Sequence, residues 1–299
     1  METALWQYFL VLLLCSVAQA QAPEHGNIYW ADRFPGKDLG EKVNNAIAAA
    51  AGGVIRIPAG QFAYSTPIKI NKNIRLEGSG KTTLVSASAT SDQIDVLPGA
   101  NYATIADLGL YTEGRIKPTS GAGIRVDASF VRISDVTVWN QYDGIVSQGP
   151  QNLEIEDCDI RAVHDEISVN GTLNVTITQS KLYSGGASST GLRLTRAGGI
   201  WLTDVDIFNG LHGVVFDPPA GAVVGQVLAK GVAVDSASGD GIVVTGSGTV
   251  FHVDFSDSWT AGSTQGNGIS FQNANTNGFS WRGGFIRGNH LNGAYIRAG

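Results

Sequence analysis

A chain of 299 residues, 43% hydrophobic and only 15% charged, is long enough to bury a large core and too apolar for disorder. Its formal charge of -6 leaves no basic footprint for a nucleic acid. With 39 glycines among short Val, Ile and Leu runs bounded by Asn, Asp, Ser and Thr, the composition favours many short strands over helices.

Residues 9–17 form a short apolar run ending at Ala18-Gln19-Ala20, a small-x-small site. This reads as a signal peptide over residues 1–20, cleaved before Gln21, and places the mature protein outside the cell, in a periplasm or on a cell surface. An N-terminal membrane anchor is the competing reading, because the terminal amine is the only positive charge ahead of the run. No later stretch approaches the roughly 20 apolar residues of a transmembrane helix, so an integral membrane protein is not expected. After cleavage Cys158 is the remaining cysteine; no intrachain disulfide can form, and residues 21–299 have to hold together as one domain through their core.

Asp38 followed three residues later by Glu41 starts a helix whose apolar face is Leu39, Val43, Ile47 and Ala50, and Gly52-Gly53 stops it. This segment, residues 34–52, is expected to cap the N-terminal opening of the strand-rich region. Short strands come next at Val54–Ile57, Ile68–Ile70 and residues 74–76, separated by Pro58-Ala59-Gly60 and Asn71-Lys72-Asn73 turns.

From residue 120 onward the chain repeats. Gly123-Ile124, Gly144-Ile145, Glu166-Ile167, Gly191-Leu192, Gly213-Val214, Gly241-Ile242, Gly268-Ile269 and Gly293-Ala294 recur at intervals of 21 to 28 residues. A second series, exemplified by Ile105-Ala106-Asp107-Leu108, Ile133-Ser134-Asp135-Val136, Ile155-Glu156-Asp157-Cys158 and Leu202-Thr203-Asp204-Val205, keeps step with the first. Two phased strand signals per unit predict a parallel β-helix, an all-β solenoid over residues 53–299. Successive coils lie about 4.8 Å apart, with Ile124, Ile145, Ile167, Leu192, Val214, Ile242 and Ile269 as an internal ladder and Cys158 a buried rung. The dense leucines of a leucine-rich repeat and the Gly-Gly-x-Gly-x-Asp tandems of calcium-binding coils are both absent.

Phe34-Pro35-Gly36-Lys37-Asp38-Leu39, Ala51-Gly52-Gly53-Val54-Ile55-Arg56-Ile57-Pro58-Ala59-Gly60 and Asn73-Ile74-Arg75-Leu76-Glu77-Gly78-Ser79-Gly80 resemble the N-terminal part of the pectate-lyase-like superfamily, in its rhamnogalacturonase and epimerase-like branch. The resemblance implies a right-handed parallel β-helix and a secreted or surface protein that cleaves or isomerises an acidic, pectin-like polysaccharide. It does not imply one reaction, since lyases, glycosidases, epimerases and phage-type tailspikes share the scaffold.

The residues ahead of each Gly-aliphatic step form an expected external column: Ala122, Asp143, Asp165, Thr190, His212, Asp240, Asn267 and Asn292. Asp143, Asp165 and Glu166 place three carboxyls on two adjacent coils and are the candidate catalytic acids, because glycoside hydrolysis needs one protonated and one ionised carboxyl and crowding raises one pKa. His164, Arg161, Arg193, Tyr142 and His212 surround them as candidate substrate-binding residues. Asn140 to Ile145 and then His164-Asp165-Glu166-Ile167 are similar to the polygalacturonase succession of acidic steps; the following coil reads Ser189-Thr190-Gly191 where that family has Gly-His-Gly, and its Arg-Ile-Lys is missing. A turn residue is the plain alternative for each Asp, since Asp and Asn before Gly suit turns by themselves, as at Asp240-Gly241.

Hydrolysis is therefore the expected reaction, without cofactor or metal. A lyase or epimerase is the alternative, and there a bound Ca²⁺ and an Arg or Lys base, Arg161, Arg193 or Arg196, would be needed. A non-catalytic binding or adhesion solenoid is the alternative of another class. Trp139, Tyr142, Trp201 and Trp259 are candidates for stacking on sugar rings or for packing. Residues 289–299 begin a coil with no capping segment, which points to further chain, a missing C-terminal segment, or to cover by a partner or a homotrimer.

Overall fold

In a computed structural model the described residues run from 27 to 297, apart from 150, 185 and 187. The expected signal peptide lies outside them.

Every strand pairing is parallel, and each strand pairs with its counterpart one coil away, so the chain winds as a β-helix. One inward column runs Ile68, Ile94, Ile124, Ile145, Ile167, Leu192, Val214, Ile242, Ile269 and Ala294, ten successive rungs. A second runs Ile55, Leu76, Ile105, Ile133, Ile155, Ile177, Leu202, Ala229, Phe255 and Trp281. The expected solenoid and its ladder are thus present, with Ile124, Ile145, Ile167 and Leu192 fully buried. Each such aliphatic side chain contributes about 1.5–3 kcal/mol by leaving water.

The Asp of the second series has its own reason. Asp107, Asp135, Asp157 and Asp204 all adopt left-handed backbone with φ between 51° and 55°, which turns the chain from one sheet into the next. Asp tolerates that region better than branched or bulky residues do. Cys158, directly after such a turn, is buried, and burial pushes its thiol up to about 12.

The helix Leu39–Ala49 closes the N-terminal end, burying Leu39, Val43, Ala46 and Ile47. Asp38 caps it: Oδ1 accepts from the Glu41 N–H at 2.9 Å, and Oδ2 accepts from the backbone N–H of Ser65 at 2.9 Å and of Thr66 at 3.0 Å. Burial alone would raise the Asp38 pKa, but these hydrogen bonds hold it at about 2. One difference from the sequence reading is that coil strands begin ahead of the helix, as Ile28–Trp30 pairs with Val54–Arg56. At the other end Phe271, Phe279, Trp281 and Ile286 line an apolar hollow of about 790 Å³. No helix among the described residues is long and apolar enough to cross a membrane.

Candidate functional site

The strands Asp143–Gln148, Asp165–Thr178 and Thr190–Thr203 stack on successive coils, and their pairing places Asp165 beside Thr190 and Ile145 beside Ile167. His164 sits on the turn leading into the second. The backbone N–H groups of Val163 and His164 both donate to the Tyr142 carbonyl, at 3.2 and 2.8 Å, and the Tyr142 and His164 rings stack at 4.8 Å. The imidazole is therefore held from below and from one face.

Two carboxyls converge on one nitrogen of that ring. Nδ1 of His164 lies 2.8 Å from Asp143 Oδ1 and 3.6 Å from Asp165 Oδ2. The Asp165 N–H also donates to Asp143 Oδ1 at 3.2 Å. Arg193 completes the group: its Nε donates to Asp165 Oδ2 at 2.9 Å and an Nη to Thr190 Oγ1 at 3.0 Å, while its other Nη is 3.7 Å from Asp217. Burial raises the pKa of Asp143, opposed by the hydrogen bond from His164. The four candidates Asp143, His164, Asp165 and Arg193 thus meet in space, with Tyr142 as a ring support.

Two of the expected acids sit differently from the sequence reading. Asp165 is not on a solvent-facing turn; its side chain is 3% exposed, closed off by Arg193 and the coils on either side. Glu166 is not external at all and is fully buried. It occupies the column that is Gly123, Gly144, Gly191 and Gly213 on other coils, where a Cβ would run inward into Val138, Ile160, Ile207 or Val234. Its Oε2 accepts from Ser184 Oγ at 3.1 Å, its Oε1 has no partner, and burial pushes its pKa up to about 8. Glu166 is a neutral acid inside the core and is out of a substrate's reach.

The remaining candidates lie around the group. Arg161 is exposed on the preceding strand with its guanidinium 4.9 Å from the centre of the Trp139 ring, which itself stacks on Tyr111. His212 follows Thr190 by one coil, and its Nδ1 lies 3.1 Å from the Asp240 carbonyl, so it does not join. The Trp259 ring is covered by Phe285 and the Tyr142 ring by His164. Asp217, and a second cluster on the same sheet, were not anticipated. There Arg125 donates to both oxygens of Asp92 at 2.8 and 3.0 Å, and burial together with the neighbouring Asp92 raises Asp95 to about 6. Their coil enters the sheet as Asp92-Gln93-Ile94 without a glycine, which hid it from the repeat.

Ligand atoms of Asp143, His164 and Asp165 lie within 4.8 Å of one another. A Ca²⁺ of the kind the lyase alternative calls for takes 6–8 oxygen ligands. Two carboxyls, one already neutralised by Arg193 and both turned to an imidazole, do not fit it.

The family model for the right-handed beta helix region matches residues 122–277. No curated protein matches. Among solved structures, the enzymatically active domain of tailspike protein 2 from bacteriophage CBA120 is similar at 15% identity and a TM-score of 0.66, covering 83% of this chain and 41% of its own. A DFA-IIIase from Arthrobacter chlorophenolicus, in complex with DFA-III, is similar at 15% identity and 0.60, covering 83% and 77%. The A-module of an Azotobacter vinelandii mannuronan C-5 epimerase is similar at 13% identity and 0.51, covering 90% and 98%. The chain spans about two fifths of the tailspike domain, and at these identities the likeness is one of fold.

Proposed function

Because this chain belongs to the right-handed β-helix family, a scaffold on which chemistry resides in local side chains, we propose that it acts on an acidic polysaccharide through an acid–base centre of Asp143, His164, Asp165 and Arg193. The observation that carries the reading is the convergence of Asp143 and Asp165, from adjacent coils, on Nδ1 of His164. An exported protein would meet such a polymer outside the cell.

Glycosidic hydrolysis follows from the inequality of the two carboxyls. Asp143, about one-fifth exposed and with its pKa raised by burial, has Oδ1 occupied by donors and Oδ2 left to carry the proton that passes to the leaving glycosidic oxygen. Asp165, ion-paired with Arg193 and 3.6 Å from His164 Nδ1, is the buried anchor that orients the imidazole. His164, with Nδ1 turned to the carboxyls, presents Nε2 to the water that attacks the sugar. A mannuronan C-5 epimerase module of the same fold supports a polysaccharide substrate.

The burial of Asp165 favours a second reading. With that carboxylate sealed, His164 is the exposed base beside a cation, an arrangement suited to removing a proton next to a uronate carboxylate, as a lyase or epimerase does. Incubating the protein with polygalacturonate, pectin, alginate and neutral glucans tests both. New reducing ends without ultraviolet-absorbing products mean hydrolysis, and unsaturated uronates mean elimination. No product from any polymer, with retention on one of them, means a binding solenoid and overturns the proposal.

A further inference from the structure

Two cross-coil rows, one of Thr176, Trp201, Leu228, Asp254 and Ser280 and the next of Thr178, Thr203, Lys230, Ser256 and Arg282, take no part in the acid–base centre. A shallow hollow of about 270 Å³ opens on them, lined by Trp201, Thr203, Leu228, Lys230, Asp254 and Arg282.

Trp201 differs from the other outward tryptophans. The faces of Trp139 and Trp259 are covered by Tyr111, Arg161 or Phe285. Trp201 is 41% exposed, and among the described residues no ring or cation lies over it. Its six-membered ring rests against the bare backbone of Gly199, where a Cβ would come within 3.2–3.3 Å of ring carbons. Phe251 settles into the notch of Gly225, its partner on the preceding coil, in the same way. The charges are also arranged. Arg282 is neutralised by Asp254, whereas Lys230 has no ion pair among the described residues and leaves the hollow one net positive charge.

We infer that this hollow is a second carbohydrate subsite, taking an acidic sugar residue of a polysaccharide chain away from the acid–base centre. The C–H face of the sugar rests on Trp201 and Leu228, its hydroxyls meet Thr203 and Ser256, and its carboxylate meets Lys230. Aromatic platform, hydroxyl row and single uncompensated cation match a uronate better than a neutral sugar. The inference shares with the proposed function the premise that the partner is an acidic polysaccharide, and it is independent of the reaction.

Native gels cast with polygalacturonate, alginate or dextran read it directly, using wild type, Trp201→Ala, Lys230→Glu and Asp143→Asn. The wild type and Asp143→Asn are retarded by an acidic polymer and not by dextran. Trp201→Ala and Lys230→Glu, with unchanged melting temperatures, each weaken retardation about tenfold in apparent Kd. Wild type retarded by none of the polymers, or Trp201→Ala and Lys230→Glu retarded as wild type is, overturns the subsite. So does a wild-type oligomer that these two substitutions convert to monomer in sedimentation, since the hollow would then seat a second copy. Loss of turnover in Asp143→Asn alone speaks to the acid–base centre and leaves the gel result unaffected.

Discussion

Replacing Glu166 by Gln removes a titration from the core and little else. In the unfolded chain the carboxyl ionises at its ordinary 4.5, but in the folded protein burial holds it protonated until about 8. Between those values the unfolded state has lost a proton that the folded state keeps. Wild-type stability therefore falls with rising pH by about 1.4 kcal/mol per pH unit from this group. The amide keeps the Ser184 hydrogen bond and cannot ionise, so Glu166→Gln and wild type should melt together at pH 4. At pH 7 the variant should be about 3 kcal/mol more stable, or roughly 6 °C higher in Tm for a chain of this size. The gap should level off above pH 8, where the folded carboxyl ionises too. Fluorescence-monitored melts of both proteins from pH 4 to 9 measure it. Parallel curves with a constant offset would show that the carboxyl titrates normally, and the inward placement would be refuted.

Arg193→Ala leaves the sealed Asp165 carboxylate without its cation and should cost about 3 kcal/mol in denaturant melts; adding Asp165→Asn should recover most of the loss, and a double variant no more stable than Arg193→Ala would sink the ion-pair account. Gly191→Ala drives a Cβ into Ile207 and the Gly213 carbonyl, so it should be poorly soluble or strongly destabilised, whereas a melt within about 0.5 kcal/mol of wild type would contradict the close approach. Cys158, buried with its thiol raised to about 12, should resist maleimide in native protein at pH 7 and react once unfolded; labelling of the native protein would place it outside the core.

The solenoid was legible because its ladder is local: each Gly-aliphatic step announces one rung, and rung-on-rung pairing is the only partner such a strand needs. The aspartates of the second series marked the repeat, but their left-handed turn conformation is a finding of the structure. Asp143 and His164 could be put on neighbouring coils from the interval between them. The burial of Asp165 was not legible, because it depends on Arg193, a full coil later, lying across it. Glu166 carries a clue that points inward. It stands where other coils have Gly, and that column faces the core, so a long side chain there had to enter it. Consecutive burial of Asp165, Glu166 and Ile167 after the turn also breaks the in-out alternation from which direction is ordinarily read.

In the proposed function Asp143 is the proton donor of the acid–base centre. The most direct test is Asp143→Asn, assayed on whichever polymer the wild type degrades, with the melting temperature recorded alongside. The amide retains an oxygen to accept from His164 and the Asp165 N–H but cannot deliver a proton. Turnover should fall at least about 100-fold with Tm unchanged within a degree or two. A variant that degrades the polymer at the wild-type rate would show that Asp143 only shapes its turn, and the account of the site would fail.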